Sequence, residues 1–134
     1  MTTTSLRPAP SSYRFQVAGV LVAAFTLSAA HTVYGTIAGI APDEFNARNP
    51  VSWAFYAVGF AMALAARTDR LAVWRALAVY LPVLLAVGLL WYPSVFTARL
   101  QTPFGWIEND GYMALLAIAL YLTVARLRGV SLAR

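Results

Sequence analysis

Four long stretches of this chain carry no Asp, Glu, Lys or Arg, or only one, and any fold has to accommodate them. An α-helix rises about 1.5 Å per residue and needs about 20 apolar residues to cross about 30 Å of hydrocarbon. The first stretch, Phe15 to Ala41, is long enough to cross with tilt. The second, Val51 to Ala66, opens at Pro50 and covers only about 24 Å at that rise, so it has to thin the bilayer or borrow its ends. The third runs from Leu71 to Tyr92 and tolerates Arg75 one turn in. The fourth has its uncharged centre at Gly111 to Ala125 and reaches a workable length if it spans 108–126. A span must satisfy its own backbone, and nothing here alternates like a barrel strand, so helices are expected. The predicted fold is all-α, an integral membrane four-helix bundle.

Composition excludes the soluble alternative. The chain is 60% apolar and 11% charged, with a mean hydropathy of +0.66. Soluble domains average about 45–50% apolar and about 25% charged residues. Chemistry is restricted as well. With no cysteine, thiolate nucleophiles, iron–sulfur clusters and cysteine-ligated zinc drop out. With no lysine, Schiff-base cofactors and a P-loop drop out too. One histidine, His31, cannot supply both ligands of a bis-histidine site within one copy.

All ten basic residues are arginines, and their placement sets an orientation. Arg7, Arg14, Arg67, Arg70, Arg75, Arg126, Arg128 and Arg134 fall on one side of the spans. Only Arg48 and Arg99 fall on the other. By the positive-inside rule both termini face the cytoplasm of a cell membrane. The net charge of +5 then reads as a topology device in contact with the lipid bilayer, and nucleic acid is not an expected partner. Residues 1–14, rich in Thr, Ser and Pro, read as a disordered cytoplasmic tail, and 129–134 as a second tail. Ser28-Ala29-Ala30 has the small-residue look of a signal-peptide cleavage site, but the apolar run continues to Ala41, which argues for an uncleaved span.

Local signals place the joins. Asn49-Pro50 reads as an N-cap followed by proline at the first helical position. Thr68 or Asp69 is expected to cap the third helix, and Asn109 or Asp110 the fourth. Pro82 lies inside the third helix and should kink it. The external segment from Tyr92 to Asp110 holds Val95, Phe96 and Leu100 on one potential helical face, followed by Phe104, Trp106 and Ile107. This pattern predicts a short interfacial helix along the outer leaflet. Trp53, Trp91, Tyr92, Trp106 and Tyr112 cluster near that boundary, as in an aromatic belt or the wall of a vestibule for an apolar or cationic ligand.

His31 is the one ionisable side chain expected well inside a span, where such groups are costly and tend to face protein or water. Ser28, Thr32, Gly35, Thr36 and Gly39 share a stripe with it, and Gly35 and Gly39 form a GxxxG motif. The stripe reads as a helix-packing seam, with a neutral His31 bonded to a tyrosine or a carbonyl. The sharper reading makes His31 a haem or chlorin ligand, with glycine leaving room for a macrocycle. A proton relay lacks companions on this reading, because no carboxylate is expected inside a span. Asp43, Glu44, Glu108 and Asp110, with Arg99 within reach, form an expected external polar cluster. It reads as helix capping, or as an acidic mouth or hydrolytic carboxylate pair. The leading expectation for function is a non-enzymatic accessory subunit that packs on a membrane-protein partner, or on a second copy, through the Ser28–Gly39 stripe. The alternatives are a haem- or quinone-associated membrane anchor using His31, and a small lipid-modifying enzyme or passive transporter working at the outer aromatic and acidic face.

Overall fold

The computed structural model describes residues 11–93 and 102–129. Four helices make up the described part. They are α1 (Ser11–Ile37), α2 (Pro50–Ala66), α3 (Leu71–Ala86, continuing as a π-helical turn over Val87–Trp91) and α4 (Pro103–Leu127). Three of them, over Ser12–Ile37, Leu71–Trp91 and Pro103–Leu127, are long and apolar enough to cross a membrane, and α2 is shorter. The expected interfacial helix around Val95–Leu100, Arg99 and the segments 1–10 and 130–134 lie outside the described residues.

The helices alternate in direction. One end of the bundle carries the α1–α2 loop and the start of α4; it is called the loop end below. The other, the arginine end, carries the start of α1 and the Arg67–Arg70 turn. α1 packs along α4 and α2, and α3 packs along α4, while α2 and α3 meet only sparingly. A short turn therefore joins two helices that leave a thin seam between them.

Burial follows helical periodicity. On α2 the buried residues are Ser52, Tyr56, Gly59, Ala63 and Ala66, a narrow and mostly small-residue stripe. The ring of Phe25 on α1 lies against Gly59, where any Cβ would overlap it. Met113 of α4 covers Gly88 of α3 in the same way. At Gly59 the buried Phe25 ring fills the space of a side chain, so glycine is needed for the close approach, whereas at Gly88 the overlap is with the flexible end of Met113, which can move aside. The core at the arginine end is apolar and closed: Val17, Leu21, Leu77, Leu81, Leu116 and Ala119 are inaccessible to solvent.

Helix ends confirm some sequence expectations and correct others. Asn49 caps α2 through its side chain, which accepts from the Val51 N–H, and Pro50 takes the first helical position. The α3 cap does not follow expectation, because Arg70 holds the N-cap position without a side-chain bond. Asp69 instead adopts φ 53° and accepts a bond from Trp74 Nε1 at 2.8 Å. The fourth helix starts several residues early. Thr102 is its cap, accepting from the Gly105 N–H, with Pro103 behind it, so Asn109 and Asp110 lie inside the helix. Phe104, Trp106 and Ile107 are thus part of α4. The first helix starts early too: Ser11 to Arg14, expected to be tail, are helical, and the 2% exposure of Tyr13 shows why this turn is held.

α1 ends at Ile37, four residues short of Ala41. Gly39 follows with φ +70°. The Gly39 N–H donates to Thr36 O and the Ile40 N–H to Gly35 O, which is the Schellman pattern of a helix C-terminus. The second glycine of the GxxxG motif is therefore the helix stop and not part of a helical seam. Gly35 approaches Ala41 of the returning loop, where an added Cβ would make ordinary contact at 3.5 Å. The proposed small-residue face is folded against the protein's own chain.

Candidate functional site

The loop-end half of the bundle is built around polar side chains. His31 projects from α1 toward α4, and its Nδ1 bonds with Glu108 Oε2. Glu108 is 8% exposed. It belongs to the stripe Glu108, Tyr112, Leu116, Ala119, Thr123 that α4 turns toward the core, spaced by three and four residues. This corrects the expectation of an external cluster. Because α4 begins at Pro103, Glu108 sits in its second turn on the inward face instead of capping from outside. Asp43 and Glu44 are exposed on the α1–α2 loop, and Asp110 is exposed on α4. Of the four acids grouped on that side by sequence, only Glu108 reaches the interior, so His31 does have a carboxylate companion.

Two further groups complete the pair's surroundings. The Tyr92 hydroxyl lies 3.4 Å from His31 Nε2. Gly105, one turn before Glu108, leaves space for the imidazole, since an added Cβ would stand 3.4 Å from His31 Cε1. With Nδ1 committed to Glu108, Nε2 is left to accept from Tyr92 or from a ligand.

A second polar group holds α1 to α2. The Tyr56 hydroxyl donates to the Ser28 carbonyl at 3.0 Å. Its single proton is thereby used, so the Thr32 hydroxyl at 2.5 Å donates to Tyr56. The Ser28 hydroxyl lies 3.2 Å away. Thr36 bonds back to Thr32 O at 2.7 Å and accepts from the Ala47 N–H at 2.8 Å, pinning the loop over the helix end. Ser28, Thr32, Gly35 and Thr36 thus act together, within the chain.

Between these groups lies a cavity of about 220 Å³, walled by all four helices and the α1–α2 loop. Its lining includes the polar side chains of Ser28, His31, Thr32, Tyr92, Thr102 and Asn109 and apolar ones such as Phe45, Phe55, Leu84 and Tyr112. Glu108 is not part of the wall; it stands behind His31. Val87 and Trp91 line the cavity and are also 45% and 47% exposed, which puts the mouth on the α3 side. The π-turn over Val87–Trp91, whose bond from the Tyr92 N–H to Val87 O spans five residues, shapes that mouth. Such turns are frequent at functional sites.

The pair suits a haem poorly. The Tyr92 hydroxyl stands beside Nε2, the nitrogen an iron would use, and the cavity is smaller than the roughly 300–1,000 Å³ usual even for drug-sized ligands. Among the described residues no three His, Cys, Asp or Glu side chains converge to hold a metal ion.

Sequence reasoning singled out His31 and set Trp91, Tyr92 and Tyr112 among the aromatics that could wall a vestibule, all of which line the cavity, but it missed Tyr56 and Asn109 as site residues and placed Glu108 outside. The signal for Glu108 was present, as the periodic stripe of α4 extended back one turn from Tyr112. Tyr56 carried no local signal, since its role depends on which helices become neighbours. No protein-family model, curated protein or solved structure matches this chain.

Proposed function

We propose that this chain is an integral membrane four-helix bundle with both termini in the cytoplasm, and that it binds a small membrane-soluble ring compound in the loop-end cavity, within the outer leaflet. The ligand class is a ring with a carbonyl or hydroxyl at one end, as in quinones and quinols. The observation that carries this reading is the His31–Glu108 pair, held behind the polar wall of an otherwise apolar cavity. Such a pocket is shaped by apolar surface and oriented by a few polar groups. His31 Nε2 would accept from a ligand hydroxyl, Glu108 would fix that tautomer from behind through Nδ1, and Tyr92 and Asn109 would offer donors to a ligand carbonyl. The thin α2–α3 seam and the exposed Val87 and Trp91 favour entry from the hydrocarbon. The orientation rests on the arginine count.

The accessory-subunit reading on the Ser28–Gly39 stripe is less favoured, because Ser28, Thr32 and Thr36 of that stripe are engaged by Tyr56 and the α1–α2 loop. Calorimetric titration of the detergent-purified protein with a short-chain benzoquinol, kept reduced, tests the ligand reading. The wild type should bind saturably. His31→Leu should bind roughly tenfold more weakly, as expected for one lost hydrogen bond, and Ala41→Phe, which places a ring in the cavity, should not bind. Equal binding by all three would overturn the ligand reading, and a Soret band in the wild type that His31→Gln removes would replace it with the haem reading.

A further inference from the structure

At the arginine end, charge is distributed unevenly in a way the fold itself does not use. Asp69 is the only acidic side chain of the sequence at that end, and it is fully engaged. Arg126 reaches both of its oxygens at 3.2 Å, and Trp74 donates to one of them. The remaining arginines there have no ion pair among the described residues.

Two of these arginines nevertheless converge. The Arg14 guanidinium lies 4.8 Å from the centre of the Phe15 ring, and that of Arg67, from the end of α2, lies 5.7 Å from the same ring. Like charges gathered at one ring repel each other, and each cation–π contact is weak at an exposed site. Arg14 Nε is also buried without a hydrogen-bond partner, and a group in that state is costly unless something else satisfies it. Phe15 is 51% exposed, so an apolar surface lies directly beside the two cations. The arrangement has two positive groups over one ring and an apolar surface beside them, and among the described residues it has no paired anion.

We infer that Arg14, Arg67 and Phe15 form a binding site for the headgroup of an anionic phospholipid. The phosphate bridges the two guanidinium groups, and the glycerol and first acyl carbons lie on the Phe15 ring. Guanidinium forks match phosphate geometry, and basic residues at the bilayer surface are attracted to anionic lipid. The inference rests on the membrane reading above but not on the cavity.

Native mass spectrometry of the full chain, released from detergent after exposure to phosphatidylglycerol, phosphatidylcholine or inorganic phosphate, tests it. The wild type should retain one phosphatidylglycerol in preference to phosphatidylcholine. Arg14→Gln with Arg67→Gln should weaken that retention roughly tenfold, and Phe15→Ala should weaken it less. Arg48→Gln, at the opposite end, should leave it unchanged. If the double variant does not fold, Arg67→Gln alone, at an exposed helix end, still has to reduce the preference. Equal retention of the two lipids by the wild type, or unchanged retention in the variants, would overturn the site. Inorganic phosphate displacing phosphatidylglycerol as effectively as the lipid itself would show an anion site with no lipid specificity and overturn the lipid assignment. A chain that does not sediment with membranes would sink the membrane reading instead, so the two failures are distinguishable.

Discussion

The two halves of the bundle are built on different principles. Toward the arginine end, Val17, Leu21, Leu77, Leu81, Leu116 and Ala119 interlock without accessible space. Within it the buried Thr123 hydroxyl only bonds back to Ala119 O of its own helix. The polar contacts between elements lie at the rim, where Asp69 ties the α2–α3 turn to Trp74 and Arg126. Toward the loop end the same helices diverge around a cavity, and their contacts become hydrogen bonds between Tyr56, Ser28 and Thr32 and between His31 and Glu108. Phe25 divides the two regions, with its ring packed among Phe55, Phe60 and Tyr112 at 5.8–6.1 Å. One half supplies rigidity and the other a site held open on it. Precise polar constellations need such a rigid support.

If this division holds, equivalent truncations should cost very different amounts in the two halves. Leu77→Ala removes a fully buried side chain from the closed half and should lower stability by about 2–5 kcal/mol. Leu84→Ala acts on a residue that already borders the cavity, so fewer contacts are lost and the cost should stay below about 2 kcal/mol. Equilibrium unfolding in mixed micelles measures both, and similar losses would break the comparison. The next effect in size lies in the open half. His31→Leu leaves the buried Glu108 without its partner and should cost about 1–3 kcal/mol. His31→Gln can still donate to the carboxylate and should cost less than about 1 kcal/mol. If glutamine is as damaging as leucine in the same unfolding assay, His31 contributes through its shape and not through its bond to Glu108.

The closed half was the more legible in sequence. Apolar runs and arginine positions gave the helices, and Asn49-Pro50 gave a helix start, because these signals are local. Thr102-Pro103 is the same kind of cap, yet Asn109 and Asp110 are stronger capping types and nearer the apolar run, so the start of α4 was read too late. That single misplacement moved Glu108 out of the interior and left His31 without its carboxylate. The glycines show the same limit. Gly59 and Gly88 matter because Phe25 and Met113 arrive from other helices, which no local pattern records. Gly35 and Gly39 formed a familiar motif, but Pro42 just beyond them was the better guide, since glycine followed by proline marks a helix end.

The smallest effects separate a backbone role from a docking role for these glycines. Gly19 lies exposed within α1, and a Cβ there would meet nothing within 4 Å. Gly19→Ala should therefore stabilise the closed half by about 0.5–1 kcal/mol, because alanine loses less conformational freedom on folding. Gly39 also has nothing within 4 Å, but its φ of +70° lies where an L-residue is disfavoured by about 1–2 kcal/mol. Gly39→Ala should destabilise by that amount, giving the opposite sign in an equally open position. Extending the side chain then decides between the two roles. If Gly39 serves only as the Schellman residue, Gly39→Leu should cost no more than Gly39→Ala, since the added atoms enter open space. A partner helix seated on the GxxxG face would be pushed away by leucine and tolerate alanine better. A clearly larger loss for leucine, in unfolding or in oligomer mass, would therefore restore an intermolecular seam at the loop end.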